Sequence, residues 1–231
     1  MKIIKNEKLI KRNSTIGQWT SLGALAVLGV GMYISFKQPE LFTYALGALL
    51  GGFILTQIGM YMGNRYGRSP RPDEKIDAGL KGLPGDFTIY HFSTPVSHLL
   101  VGPAGVWALL PYRQHGVVKY LKNRWRVVNG GFMQTYMSIF GQEGLGRPDL
   151  EAESQISSIQ KLFAKKLNES EIPEVNAVLI FMHDQVELQV ADAPLPALKL
   201  KQLKDFMRQK AKEKPLSQIQ LTAIKSALPE E

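Results

Sequence analysis

Two long uncharged stretches dominate the N-terminal third of the chain. No charged residue occurs from Asn13 to Phe36 or from Leu41 to Asn64. The apolar centre of each stretch matches the roughly 20 residues that cross the hydrocarbon core of a bilayer. The short connection between them contains Pro39, which interrupts a helix. The pattern predicts a transmembrane helical hairpin over residues 18–63. A buried helix pair in a soluble core is the alternative that we favour less.

Basic residues flank this predicted hairpin on both sides. Residues 1–17 carry five Lys or Arg against one Glu, and residues 64–74 form a basic linker. The positive-inside rule therefore predicts that both ends of the hairpin, and with them both termini, lie in the cytoplasm. The predicted organisation is a basic cytoplasmic arm (1–17), the transmembrane hairpin (18–63), the basic linker (64–74) and a cytoplasmic α/β domain (75–231).

Small residues in the two predicted spans indicate where helices can approach one another. Gly47 and Gly51, and then Gly59 and Gly63, are four residues apart, a spacing that permits close backbone contact. Two arrangements fit this spacing: closure of the hairpin on itself, which we favour, and a homo-oligomer. Because neither span contains an ionisable Asp, Glu, Lys, Arg or His, we expect an anchor rather than a transporter.

A second apolar pattern, at the centre of the chain, predicts a β-hairpin. Val96–Val101 and Val106–Leu110 read as two strands on either side of the turn Gly102–Gly105. Pro103 presets the backbone of the first central turn position. The apolar positions are nearly continuous rather than alternating, which is typical of strands that are covered on both faces.

The remaining patterns complete an α/β succession. Asp86–Phe92 alternates as a first strand, and Val175–Phe181 is a continuous apolar strand suited to a central position. A helix with one apolar face is predicted from Asp149, as its N-cap, to about Leu167. The other predicted elements are a β pair, an edge-like strand and two helices: Val117–Leu121 with Trp125–Val128, Val186–Val190, Lys199–Lys212 and Leu216–Leu228. The segment 132–146 has two interpretations, a lid-like loop or a surface toward the bilayer.

The central hairpin carries a family resemblance. The residues that carry it are His98, Leu99, Val101, Gly102, Pro103, Gly105, Val106, Trp107 and Gly116. They fit the pattern Asp-His-Leu-Val-Val-Gly-Pro-x-Gly-Val-Phe-Val-Ile-Glu-x-Lys, with a Gly a few residues later, of the NERD (nuclease-related) domain. The chain resembles that family from about Lys75 to Val190. The resemblance implies a restriction-endonuclease-like fold, a mixed sheet flanked by helices.

The charged positions of that family pattern are not kept. Ser97 stands at the metal-binding Asp, Leu110 at the Glu and Tyr112 at the Lys. Glu151 stands where the family has a Gln near the start of the following helix. Magnesium-dependent phosphodiester cleavage needs oxygen ligands and a cation near the phosphate, and no Asp or Glu occurs between Phe87 and Gln142. We therefore predict a degenerate site, without metal or cofactor, in a catalytically silent relative of the nucleases.

One surface of the predicted domain is a candidate for nucleic-acid binding. It consists of basic and aromatic side chains along the second β pair: Lys119, Lys122, Arg124, Trp125 and Arg126. Cations attract phosphates, and aromatic rings can stack on bases. The alternative is a solvated edge strand whose charges discourage aggregation. The modest excess of 22 Lys or Arg over 18 Asp or Glu in residues 64–231 favours that alternative.

Other signatures of catalysis are absent from the sequence. The chain has no cysteine, and its four histidines, His91, His98, His115 and His183, show no ligand spacing, which argues against a zinc site. It also lacks a Gly-rich phosphate loop and a nucleophile elbow.

Three functions therefore compete. The first is a membrane-anchored binding or scaffolding module with nucleic acid or a protein as its partner. The second is a divalent-metal-dependent nuclease that uses Asp149, Glu151 and His98. The third is a structural membrane subunit.

Overall fold

The computed structural model describes residues 1–114, 116–128 and 145–230. Most of the segment 132–146, with its two interpretations, and His115 therefore lie outside the described residues. The chain forms two compact units: Met1–Asn6 with Pro72–Glu231, the globular unit, and Glu7–Arg71, the helix pair. The helices are α1 (Glu7–Lys37), α2 (Phe42–Met62), α3 (Pro72–Leu80), α4 (Pro148–Ala164), α5 (Leu203–Glu213) and α6 (Gln218–Ser226). The strands are β1 (Lys2–Lys5), β2 (Thr88–His91), β3 (His98–Gly102), β4 (Gly105–Tyr112), β5 (Val117–Leu121), β6 (Arg124–Val128), β7 (Val175–Phe181), β8 (Glu187–Gln189) and β9 (Ala197–Lys199).

The helix pair consists of α1 and α2, joined through a short turn of 3₁₀-helix at Pro39–Leu41. Both helices are long and apolar enough to cross a membrane. Their large side chains point mostly away from the pair: Trp19 is 70% exposed and Leu25 is 69% exposed. Helix α1 already begins at Glu7, so the first helix extends well before the predicted start of the hairpin at residue 18.

Small residues at every seventh position form the seam between α1 and α2. The buried small residues are Gly17, Ala24 and Gly31 in α1, and Ala45, Gly52 and Gly59 in α2; the larger Ile10, seven residues before Gly17, is also buried. Seven residues make nearly two turns of an α-helix, so this repeat keeps one narrow stripe facing the partner. The predicted spacing of four is wrong for this seam, because a Cβ added at Gly47, Gly51 or Gly63 would meet nothing within 4 Å.

The globular unit is built on a mixed six-stranded sheet with the order β1-β2-β3-β4-β7-β9. Strand β3 pairs in antiparallel fashion with β2 on one side and with β4 on the other. The pairs β1–β2, β4–β7 and β7–β9 are parallel. The predicted central hairpin is confirmed: Val101 pairs with Val106, and Gly102 with Gly105. Gly105 has a φ of 100°, a conformation that favours glycine.

Helices cover both faces of this sheet, as the continuous apolar strands predict. On one face, the α3 face, Ile76 of α3 and Leu203 of α5 pack with Leu109 of β4. On the other, the α4 face, Ile159 of α4 and Leu221 of α6 pack with apolar residues of β3. The globular unit is therefore a mixed α/β structure whose sheet is flanked by helices.

The N-terminal residues differ from the predicted basic arm over residues 1–17. Residues Lys2–Lys5 form β1, which pairs in parallel with β2, and α1 follows after Asn6. Ile4 is buried in the sheet core, and its apolar side chain explains why this segment joins the sheet. The structure thus divides the predicted arm between the globular unit and the helix pair.

A separate three-stranded sheet has the order β6-β5-β8. Strands β5 and β6 form the predicted second β pair, and β8 joins β5 in parallel. The turn between β5 and β6 consists of Lys122 and Asn123, both with positive φ, 51° and 57°. Two consecutive residues with positive φ are the geometry of a type I′ turn, which suits the twist of a hairpin.

Candidate functional site

The degenerate family position lies on the α4 face of the six-stranded sheet. Leu110 is fully buried in β4, where it pairs with Leu179 of the parallel strand β7. Tyr112, two residues on, is 8% exposed, and its ring stacks on Phe181 at 5.7 Å. The positions that carry Glu and Lys in the resembled family are therefore core positions here, and Leu110 presents no atom that could bind a cation.

Tyr112 has a specific partner rather than an open environment. Its hydroxyl donates to Oε2 of Glu151, on α4, at 2.7 Å. Burial, and then the hydrogen bond to this carboxylate, raise the pKa of Tyr112 above its ordinary value. The phenol is thus neutral and acts as a hydrogen-bond donor to a carboxylate. It cannot replace a lysine that would hold a positive charge beside a phosphate.

The start of α4 differs from the predicted cap. The helix begins at Pro148, with Arg147 at the N-cap position and no side-chain cap. Proline suits the first helical position, so the helix begins two residues earlier than an N-cap at Asp149 predicts. Asp149 instead pairs with Arg147 at 2.7 Å, and this hydrogen bond lowers the pKa of Asp149.

The residues proposed for an unorthodox nuclease are not brought together. Glu151 reaches Tyr112 on the α4 face. His98 contacts His91, which in turn contacts Asp77 of α3, so His98 lies on the α3 face. The sheet itself separates His98 from the carboxylates at the start of α4. Ser97, the other family position, precedes β3, and its carbonyl oxygen accepts a hydrogen bond from the backbone N–H of Phe92.

The predicted nucleic-acid surface keeps its cations but loses its aromatic platform. Trp125 is only 6% exposed and packs edge-to-face against Tyr120 at 5.3 Å. A buried indole is not available to stack on a base, so the burial of Trp125 argues against its predicted role. The inward position follows from the register, because Trp125 pairs with Tyr120 and shares the packed side of the β5–β6 pair.

The opposite side of the β5–β6 pair carries the cations. Lys119 lies directly opposite Arg126, and Leu121 lies opposite Arg124. Lys122 is exposed in the turn. Like charges directly across two strands repel one another unless solvent or an anion screens them. The four basic residues therefore form a cationic surface without an aromatic component, which we call the cationic edge: Lys119, Lys122, Arg124 and Arg126.

A buried ionic cluster on the α3 face is not predicted by any motif. His91 Nδ1 lies 2.7 Å from His98 Nδ1, and His91 Nε2 lies 3.0 Å from Oδ1 of Asp77. Lys5 Nζ lies 2.6 Å from Oδ2 of Asp77 and 3.1 Å from Oδ2 of Asp73. His91 and Asp73 are fully buried, and His98 is 2% exposed. Five polar groups thus form one continuous chain.

Lys5 is charged within this cluster. Burial acts to lower its pKa, but the hydrogen bonds to Asp77 and Asp73, and their negative charges, outweigh burial, so the pKa of Lys5 is raised. An ammonium group between two carboxylates is the arrangement that compensates the cost of removing these charges from water. The cluster is therefore an ion-paired structure that joins β1 to α3.

The sequence held one signal that could have revealed the histidine pair. The predicted strands before and after the loop 92–97 form an antiparallel pair, and this register sets His91 opposite His98. Spacing along the chain does not reveal the pair, because the two histidines are seven residues apart and become neighbours only across the two strands. Among the described residues, no group of three or more His, Asp or Glu has a geometry that could hold a metal ion.

Comparisons of the chain with protein-family models, with curated proteins and with solved structures find no match. The resemblance to NERD domains therefore stays a prediction from the central hairpin. Function has to be argued from the geometry of the chain's own residues.

Proposed function

We propose that this protein is a membrane-anchored α/β module, related to NERD domains, that binds a partner and does not cleave nucleic acid. The observation that carries the proposal is the state of the degenerate site. Leu110 is fully buried in the core, and the hydroxyl of Tyr112 donates a hydrogen bond to Glu151. The mixed sheet flanked by helices agrees with the restriction-endonuclease-like fold that the resemblance implies.

The helix pair supports the membrane anchor. Large apolar side chains project outward along both helices, a surface that water solvates poorly and lipid tails solvate well. A Cβ at Gly17 would meet Met62, so the start of α1 and the end of α2 lie at the same end of the pair. The basic residues of both flanks thus gather at that end, which fits two spans with both termini in the cytoplasm.

The cationic edge is the surface that we assign to the partner. Its four basic side chains lie along one hairpin and form no ion pair with a carboxylate in the described part of the chain, and Leu121 at its centre is 51% exposed. Electrostatic contact with phosphates needs cations but not stacking. Nucleic acid bound through its backbone, without base readout, is therefore the partner class that the edge fits best.

Salt-dependent DNA binding by the full chain in detergent tests this assignment. We expect binding to weaken steeply with salt, and the triple change Lys122→Ala, Arg124→Ala, Arg126→Ala to reduce the log–log salt slope by about two to three, one per lost phosphate contact. The matched control removes three cations from another surface, Lys201→Ala, Lys204→Ala, Lys212→Ala. Equal losses in both triple variants would show non-specific charge attraction and contradict the assignment.

Cleavage assays separate this proposal from the nuclease alternative. The full chain with Mg²⁺ or Mn²⁺ should leave plasmid DNA intact. Metal-dependent cleavage that is lost in Glu151→Gln would contradict the silent site. If the chain neither cleaves nor binds DNA, the structural membrane subunit is the better account, and the partner is then a protein.

A further inference from the structure

The contact between His91 and His98 determines how many protons the two imidazoles can hold. The two Nδ1 atoms are 2.7 Å apart, a hydrogen-bond distance. A hydrogen bond needs one donor and one acceptor, so one of these Nδ1 atoms carries a hydrogen and the other does not. The distance therefore requires a single proton between the rings.

The outer contact of His91 fixes the rest of the assignment. Its Nε2 lies 3.0 Å from Oδ1 of Asp77, and a carboxylate oxygen accepts, so Nε2 carries a hydrogen. A neutral pair then has His98 donating to His91. A pair with one added proton has an imidazolium at His91 that donates both to Asp77 and to His98. Both states keep the two contacts of His91.

A second added proton has no place in this geometry. It would give both Nδ1 atoms a hydrogen, directed at each other across 2.7 Å, and would set two positive rings side by side. The rings are buried, so water does not screen this repulsion. Addition of the second proton must therefore separate His91 from His98.

The charged groups that face the pair come from α3 and β1. Asp73 and Asp77 face it from α3, and Lys5 faces it from β1. Glu74 and Lys75 are the remaining ionisable residues near the start of α3, and β2 and β3 contain no other charged residue. On α5, which packs on the same face, Asp205 pairs with Arg208 and Lys210 with Glu213, at exposed positions.

The pair is also connected to the docking of β1. The backbone N–H of Asn6 donates to the carbonyl oxygen of His91, and Lys5 is paired with His91 in the parallel register. Asp77 binds both the side chain of Lys5 and the ring of His91. Displacement of the His91 ring therefore disturbs Asp77, the carboxylate that also holds Lys5 at the end of β1, which continues through Asn6 into α1.

We propose that the His91–His98 pair is a single-proton site that holds β1 in the sheet, and that a second proton, taken up in acid, releases this strand. Strand β1 is the segment of the globular unit that leads directly into the first candidate span. The pair thus makes the attachment of that segment sensitive to acid.

Hydrogen exchange on the full chain in detergent tests the proposal. After correction for intrinsic exchange rates, the amides of the peptide that contains β1 should exchange about tenfold or more faster near pH 5 than near pH 7.5. The amides of β7 serve as an internal control and should keep their protection. Simultaneous loss in β1 and β7 would indicate global acid unfolding and would overturn the proposal, as would unchanged protection of β1.

Two variants assign the effect to the pair. His98→Gln offers an amide that can contact His91 but cannot take up a proton, so β1 should stay protected near pH 5. His183 lies outside the cluster, so in His183→Gln the amides of β1 should lose protection near pH 5 as they do in the wild type. Equal loss of β1 protection in His98→Gln and in the wild type would show that protonation of the carboxylates, and not of the histidine pair, releases the strand. That result would overturn the proposal.

Histidine NMR of the unaltered chain keeps the proposal testable if His98→Gln does not fold. With ¹⁵N-labelled histidine, His91 and His98 should not both become imidazolium while β1 is still protected; observation of that state would overturn the proposal. Zinc is the second probe. Stoichiometric zinc binding that broadens both ring signals would show a metal site in place of a proton site, and would also overturn it.

Discussion

The two faces of the six-stranded sheet differ in how they use polar groups. On the α4 face, where the family motif predicts charged ligands, Leu110 is sealed in the core and Tyr112 donates to Glu151. On the α3 face, two histidines and two aspartates gather with Lys5, although no motif marks them. An apolar residue and a neutral phenol thus occupy the predicted place, and the ion-paired cluster lies on the opposite face.

Strand pairing explains the difference. A motif is read along one stretch of chain, so the loss of its charged residues is visible in the sequence. The buried cluster takes residues from β1, β2, β3 and α3, and only the register of these elements makes them neighbours. Asp73 and Asp77 are four residues apart, so they share one face of α3. A sequence motif can therefore show that charged residues are missing from a site. It cannot reveal a cluster whose residues become neighbours only in the folded sheet.

Among the variants that test this comparison, Leu110→Ala should cause the largest loss of stability. If Leu110 is a core residue, the variant lowers the free energy of unfolding by about 3–4 kcal/mol, from lost burial and the cavity left behind. Urea unfolding followed by fluorescence in a Trp19→Phe background measures this change, since Trp107 and Trp125 then report on the globular unit alone. Leu150→Ala, at a half-exposed position of α4, is the control. A cost below about 1 kcal/mol would show that the site is not packed shut.

Asp77→Ala tests the α3 face. Asp77 binds both Lys5 and His91, and its removal leaves a partly buried ammonium with one carboxylate and His91 Nε2 without this acceptor. We expect a loss of about 2–3 kcal/mol, somewhat less than for a fully buried ion pair. The same unfolding assay applies. Asp205→Ala removes an exposed ion pair and should cost little; similar losses in the two variants would mean that the cluster does not stabilise the fold.

Tyr112→Phe measures what the hydroxyl contributes on the α4 face. The ring remains to stack on Phe181, and only the hydrogen bond to Glu151 is lost. We expect a decrease of about 1 kcal/mol in the free energy of unfolding, because Glu151 is exposed enough to be hydrated afterwards. Tyr120→Phe retains its packing on Trp125 and should be near neutral. A stabilised Tyr112→Phe variant would contradict the assigned bond.

The alkaline range gives the smallest expected effect. Because the folded pKa of Lys5 is raised above its ordinary 10.5, its ion pairs contribute fully below that pH and are lost as pH rises through the raised value. Lys5→Arg keeps its charge further into alkali, so the wild type should lose stability faster above about pH 10.5, by under about 1 kcal/mol. The raised pKa of Tyr112 acts in both proteins and cancels. Parallel pH curves would show that Lys5 adds nothing.

Local patterns were sufficient for many elements of the fold. Strand β7 matches its predicted bounds, and the hairpin of β3 and β4 turns where the Gly-Pro-Ala-Gly segment predicts, because apolar runs and turn residues act over a few positions. Strands β1 and β9 were missed. Each has four residues or fewer and forms only through pairing with a distant segment.

Candidate site residues were predicted unevenly for the same reason. The uncharged residues at the positions of the resembled motif, and the basic residues of the cationic edge, can be read from residue type alone. The burial of Trp125 could not be predicted, because alternation along a strand does not say which side is covered. The glycine seam was misassigned because several spacings are available in a glycine-rich helix, and the partner helix selects one of them.

By itself, the sequence determined two long apolar helices, an α/β globular unit and the uncharged side chains at Ser97, Leu110 and Tyr112, since each depends on residue type and local order. The tertiary structure alone decided that His91, His98, Asp73, Asp77 and Lys5 form one buried chain, and that β1 belongs to the sheet. These features arise from contacts between distant segments, and the free energy of such contacts depends on register and burial, which no single stretch of sequence contains.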